Sequence, residues 1–142
     1  ILLSGSIANG SSVLAAQAMG ADLAYLGTRF IATTEANADP RYKNMLVETM
    51  ANDIVYSNLF TGVHGNYLAP SITAAGLDPA NLPEADKSKM NFGSGGNMEK
   101  KAWKDIWGAG QGVGQIQDIV PVADVVEKLK REYEEAKRKL AA

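Results

Sequence analysis

Cysteine is absent from the 142 residues of this sequence, and histidine occurs once. The first absence removes disulfides, thiolate metal sites and a cysteine nucleophile together. The second leaves His64 without a companion at triad or metal-ligand spacing, so neither a catalytic triad nor a metal site is expected. No apolar run approaches the roughly 20 residues that a membrane-spanning helix requires. An excess of charge of either sign is also lacking. Fourteen Lys and Arg stand against 16 Asp and Glu, giving a net charge of −2. The basic residues that do cluster alternate with acids near the end of the chain, which argues against nucleic acid as a partner. No basic, apolar, small-residue signal opens the sequence, and a cytoplasmic location is the expectation.

What is present is a core. With 46% apolar and 21% charged residues, the chain can fold as a domain. It opens on Ile1-Leu2-Leu3, which reads as the interior of a buried parallel strand. The expectation is a C-terminal portion of a longer polypeptide, with neighbouring strands supplied upstream, since two parallel strands alone leave open edges.

Two glycine corners carry the chemistry. Ser4-Gly5-Ser6-Ile7-Ala8-Asn9-Gly10 follows the apolar residues 1–3, and Leu26-Gly27-Thr28-Arg29-Phe30 follows the apolar residues 23–26. Residues 11–19 between them have the spacing of a helix buried against a sheet, with Ser11 or Ser12 as its cap and Gly20 at its end. A strand-helix-strand unit brings both corners to one sheet edge. Backbone N–H groups there, together with the starts of the following helices, form a phosphate cradle.

Beyond the corners, Asp39-Pro40 predicts an N-cap and a helix over residues 40–50, and residues 54–60 have the β-branched and aromatic content of a strand whose partner the sequence leaves open. Residues 61–117 read as a loop-rich insertion or lid, rich in Gly and Pro, with a solvated charge patch at residues 86–89. The sequence divides accordingly into barrel strands and helices (1–60), the insertion (61–117) and a C-terminal helix (118–142). That helix is predicted from Pro121 to about Leu140, with Val122, Val125, Val126, Leu129, Tyr133, Ala136 and Leu140 on one stripe that packs on the parent domain.

Two features within the insertion invite a chemical reading. Gly108-Ala109-Gly110-Gln111-Gly112-Val113-Gly114 follows no apolar strand and has no acidic residue at the downstream distance of a dinucleotide fingerprint. Its glycines permit a tight backbone path, and Gln111 stands either as a ligand to the cofactor or as part of a structural turn. His64, in Thr61-Gly62-Val63-His64-Gly65-Asn66, reads as a polar residue of a turn.

A phosphate site built from two successive corners fits the loops after the last two strands of a (β/α)₈ barrel. An open doubly wound sheet is the competing arrangement, although its fingerprint concentrates in one corner. The two corners, with Leu14-Ala15-Ala16-Gln17-Ala18-Met19-Gly20-Ala21-Asp22 between them, Thr34-Glu35-Ala36 after them and Lys104-Asp105-Ile106-Trp107-Gly108-Ala109-Gly110-Gln111-Gly112-Val113-Gly114 downstream, resemble the nitronate monooxygenase family. The resemblance covers essentially the whole chain.

That resemblance implies an α/β fold, the C-terminal portion of a (β/α)₈ TIM barrel with a loop-rich helical extension. It also implies FMN as cofactor and oxidation of alkyl nitronates by molecular oxygen, giving a carbonyl compound and nitrite. By motif position, Gly5, Ser6, Gly27 and Thr28 would hold the FMN phosphate. Arg29 belongs to the same motif but ranks lower, because it can turn inward to a structural carboxylate. Ser6 stands where the family more usually has a second glycine. The family's catalytic histidine lies upstream of these residues, and His64 does not inherit its role. The expected partners are a small-molecule substrate, oxygen and an N-terminal barrel segment; self-association is left open. Flavin-dependent NAD(P)H reductases of the enoyl-acyl-carrier-protein or quinone reductase type resemble the same corners and form the first alternative. A non-catalytic fragment or assembly piece is the second.

Overall fold

The computed structural model describes residues 1–85 and 105–142. The charge patch at residues 86–89 lies outside them, as does the glycine run at 93–96. The described chain divides into two compact units, residues 1–51 with 110–142, and residues 52–109.

The first unit is built on a parallel strand pair. Strand β1 (Leu2–Ser4) and strand β2 (Leu23–Tyr25) run side by side in the register Leu2 to Leu23, Leu3 to Ala24 and Ser4 to Tyr25. Helix α1 (Gly10–Ala18) connects them. The cap is Asn9 rather than Ser11 or Ser12: its Oδ1 accepts from Ser12 N at 2.8 Å and from the Ser12 hydroxyl at 2.7 Å. An asparagine one position before the helix reaches the same orphan donor and leaves both serines inside the first turn. At the other end Gly20 takes φ +91° and donates to the carbonyl of Gln17, closing the helix through a left-handed residue.

Alternate residues of the sheet separate its faces. Leu3 and Ala24 are partly covered, whereas Leu2 and Leu23 are 55% and 63% exposed. The predicted barrel is therefore represented by one strand-helix-strand unit, and the described residues form no complete barrel.

After β2 the chain makes the short helix α2 (Thr28–Ile31) and then helix α3 (Pro40–Glu48). Asp39 caps α3 through Arg41 N at 2.8 Å with Pro40 in its first turn, as the sequence predicts. Leu46, within α3, is its fully buried residue.

The last helix, which we number α5 (Val122–Leu140), packs along α1. Contact is close enough that a Cβ on Gly10 would overlap the backbone of Leu129 and Tyr133, while Gly10 N donates to Glu132 Oε2 at 2.9 Å. The Tyr133 hydroxyl bonds the side chain of Gln17 further along. Val125, on the predicted stripe, is buried, whereas Leu140 at the far end of the stripe is 80% exposed, because the nine residues of α1 are too short to cover a helix of 19. A parallel bridge between Thr33 and Val120 ties the segment ahead of α5 to the end of α2.

The second unit is a hairpin with one helix. Strand β3 (Ile54–Ser57) pairs antiparallel with strand β4 (Gly65–Leu68), and helix α4 (Ala69–Ala74) follows at once. This supplies a partner for residues 54–57, whereas residues 58–60 of the predicted strand turn away into the connection. The connecting turn carries Gly62 at φ +77°. Phe60, Ile72 and Ile106 form the core, with Tyr67 edge-on to Phe60 at 4.8 Å between centroids. Residues 107–109 extend the hairpin: Leu68 N donates to the carbonyl of Trp107 at 2.8 Å and Ala109 N to that of Asn66 at 3.2 Å.

Candidate phosphate site

Both glycine corners leave the sheet at the same edge, because β1 and β2 are parallel and end in register at Ser4 and Tyr25. They line one cavity of about 160 Å³, formed by residues 4–8, Tyr25, residues 27–29, Gly110 and Gly112. The lining contains no carboxylate and one cationic side chain, Arg29.

The first corner is made by two consecutive left-handed residues, Gly5 at φ +108° and Ser6 at φ +54°. Glycine adopts this conformation freely, whereas serine does so at a cost on the order of 1–2 kcal/mol. The left-handed requirement at the second position is thus real, and serine meets it. Ser6 is exposed, and no hydrogen bond of its hydroxyl is found among the described residues.

At the second corner, Gly27 has an ordinary φ of −106°. A Cβ placed there would meet only the Tyr25 ring, at 4.0 Å. Glycine at 27 serves open space rather than backbone conformation. A Cβ on Gly5 likewise finds nothing within 4 Å. Such bare backbone beside a cavity without carboxylates suits a phosphate group, which takes its hydrogen bonds from N–H and hydroxyl donors.

The glycine-rich segment closes a third side. Gly110 N donates to Thr28 Oγ1 at 3.0 Å. The following 3₁₀ turn, Gln111–Gln115, presses Gly112 against the first corner, where an added Cβ would sit 3.2 Å from the carbonyl carbon and oxygen of Ser6. Its glycines therefore serve the tight backbone path read from the sequence. Gln111 itself is exposed and stands outside the cavity lining, between two glycines that belong to it.

Arg29 is 4% exposed and turned inward. Its Nη1 donates to the carbonyls of Ala32 at 3.1 Å and Asp118 at 3.0 Å, and its Nη2 pairs with Asp118 Oδ1 at 2.6 Å. Arg29 belongs to the cavity lining, but its guanidinium spends these donors on the protein. Asp118 carries no motif that would have marked it, since it meets Arg29 across 89 positions of sequence.

The N-terminus of α1 is also occupied. Glu132 takes the Gly10 N–H and Asn9 takes that of Ser12, so the expected help from this helix is directed at the protein's own side chains.

His64 belongs to the second unit, stacked on Tyr56 at 4.7 Å with an interplanar angle of 20°. Among the described residues no group of three His, Asp or Glu side chains is arranged for a metal, and no helix is long and apolar enough to cross a membrane.

Comparison with known proteins gives a consistent picture. The family model described as nitronate monooxygenase matches residues 1–132. A nitronate monooxygenase from Paraburkholderia phytofirmans is 30% identical over 96% of this chain and 38% of its own length, and one from Neurospora crassa is 28% identical over 100% of this chain and 40% of its own. The chain thus spans about two fifths of the length of these curated relatives. Among solved structures, a nitroalkane oxidase from Streptomyces ansochromogenes superposes with a TM-score of 0.72 at 28% identity, covering 97% of this chain and 40% of that one. A FabK variant from Thermotoga maritima superposes at 0.68 and 25% identity, covering 99% and 43%. These folds are TIM barrels, of which this chain is similar to a part.

Proposed function

The chain belongs to the nitronate monooxygenase family of flavin-dependent oxidoreductases, and from that premise we propose that it supplies the phosphate-binding corners for FMN in an enzyme that oxidises alkyl nitronates. The observation that carries this reading is the convergence of both corners on one cavity: Gly5 and Ser6 on one side, Gly27 and Thr28 on the other. Backbone N–H groups at these positions would hold the phosphate, with the hydroxyls of Ser6 and Thr28 as further donors. Thr28 Oγ1 accepts from Gly110, which leaves its own proton for a ligand. Arg29 contributes positive charge from behind while its donors hold the protein.

When bound, the flavin supplies the redox chemistry, accepting electrons from the nitronate before oxygen takes them up, with a carbonyl compound and nitrite as products. These residues fix where the cofactor sits. The proton-transferring group belongs to another part of the enzyme.

Anaerobic reduction of the flavin in the complete protein tests the reading. Rapid bleaching by an alkyl nitronate and none by NADH or NADPH is the expected result. Bleaching by the nicotinamides alone would assign the reductase alternative, and failure to retain any flavin would assign the non-catalytic one.

A further inference from the structure

The second corner holds both ends of the glycine-rich turn. Thr28 accepts the Gly110 N–H at 3.0 Å, and its neighbour Arg29 donates to both the backbone carbonyl and the carboxylate of Asp118, at 3.0 and 2.6 Å. Between these anchors, Gly112 lies against Ser6 of the first corner. The turn is thus a strap that starts on one corner, touches the other and returns, and Gly110 and Gly112 are cavity walls because of it.

We infer that Asp118 is a positioning residue for the cofactor's phosphate, acting through Arg29 to seat the turn over the two corners. The inference rests on the phosphate site proposed above. The Arg29 side chain is 3% exposed, so its charge needs a fixed partner, whereas Asp118 is 41% exposed and sits just past the turn. An ion pair whose arginine also binds the same residue's backbone fixes the chain path as well as the charge. Loss of the carboxylate leaves one of the two Arg29–Asp118 bonds, the one to the carbonyl, so the chain past the turn is held less firmly and Gly112 is less closely seated on Ser6. The consequence falls on the phosphate end of the ligand alone.

The test compares FMN with riboflavin, which lacks the phosphate, by flavin fluorescence titration of the complete protein. Asp118→Asn is expected to raise the FMN Kd about tenfold while leaving that of riboflavin within about twofold, and Asp118→Glu to recover most of the loss. A purely structural ion pair would weaken both ligands together or neither, and an unchanged ratio of the two constants in Asp118→Asn overturns the inference. Amide hydrogen exchange in the unmutated protein gives a reading independent of any variant: FMN should protect residues 110–116 and riboflavin should not, and equal protection overturns the inference. If the unmutated protein binds FMN and riboflavin equally, the phosphate site itself is wrong, and the positioning role falls with it.

Discussion

The carboxylate of Glu35 accepts the backbone N–H of Val122 on both oxygens, at 3.0 Å each, and so caps a helix that begins 87 positions later. Pro121, which precedes α5, has no side-chain acceptor for this purpose. The Val122 N–H, then the Thr34 hydroxyl, holds the Glu35 carboxyl below the ordinary glutamate range. A depressed carboxylate pKa stabilises the fold above the unfolded value, and that contribution disappears as pH falls through the folded one. Glu35→Gln is therefore expected to reduce the drop in Tm between about pH 7 and about pH 3 relative to the parent. Parallel Tm profiles for the two proteins would dismiss the cap as a source of acid sensitivity.

Gly10 is expected to tolerate no side chain. Its Cβ would overlap backbone on α5 and stand 2.7 Å from Glu132 Cβ, so Gly10→Ala must push two packed helices apart. A cost of about 1–3 kcal/mol or more follows from overpacking of this kind. Urea unfolding of Gly10→Ala measures it, and stability equal to the parent would mean that α5 does not pack on α1 as described.

Gly27 makes the opposite case. With φ −106° and only a ring atom at 4.0 Å, alanine fits its backbone and its surroundings, and unfolding free energy should stay within about 0.5 kcal/mol of the parent. The added methyl nevertheless enters the space beside the proposed phosphate. FMN affinity should fall about tenfold with riboflavin little changed. Retained FMN affinity in Gly27→Ala would remove the second corner from the site.

Ser6 separates conformation from chemistry. Ser6→Gly relieves a left-handed residue at φ +54° and is expected to leave stability equal or raise it, by on the order of 1 kcal/mol at most. Ser6→Ala keeps the strain and deletes the hydroxyl. If the hydroxyl holds phosphate, both variants weaken FMN binding; if only the backbone does, neither will, and isothermal titration of the pair decides between them.

Much of the fold near the corners was legible because its causes are local. Glycine at position 5 marks a turn only glycine makes easily, Asp39-Pro40 announces a helix start, and the stripe containing Val125 fixes the buried face of α5. For the cap of α1 the sequence points to Ser11 or Ser12, two or three residues past the actual Asn9, because asparagine and serine compete for the same donor. Strand β4 is not legible in the sequence, because four residues beginning with glycine carry little pattern of their own and only pairing with β3 makes them a strand.

The sequence by itself determined that two glycine corners flank a strand-helix-strand unit and that a charged amphipathic helix ends the chain. Backbone conformation and hydrophobic period are properties of neighbouring residues. Tertiary structure alone decided what surrounds the corners. Arg29 meets Asp118, Glu35 meets Val122, and Gly112 rests on Ser6, each across 87 or more positions, because hydrogen bonds and close packing depend on distance in space and leave no trace in spacing along the chain.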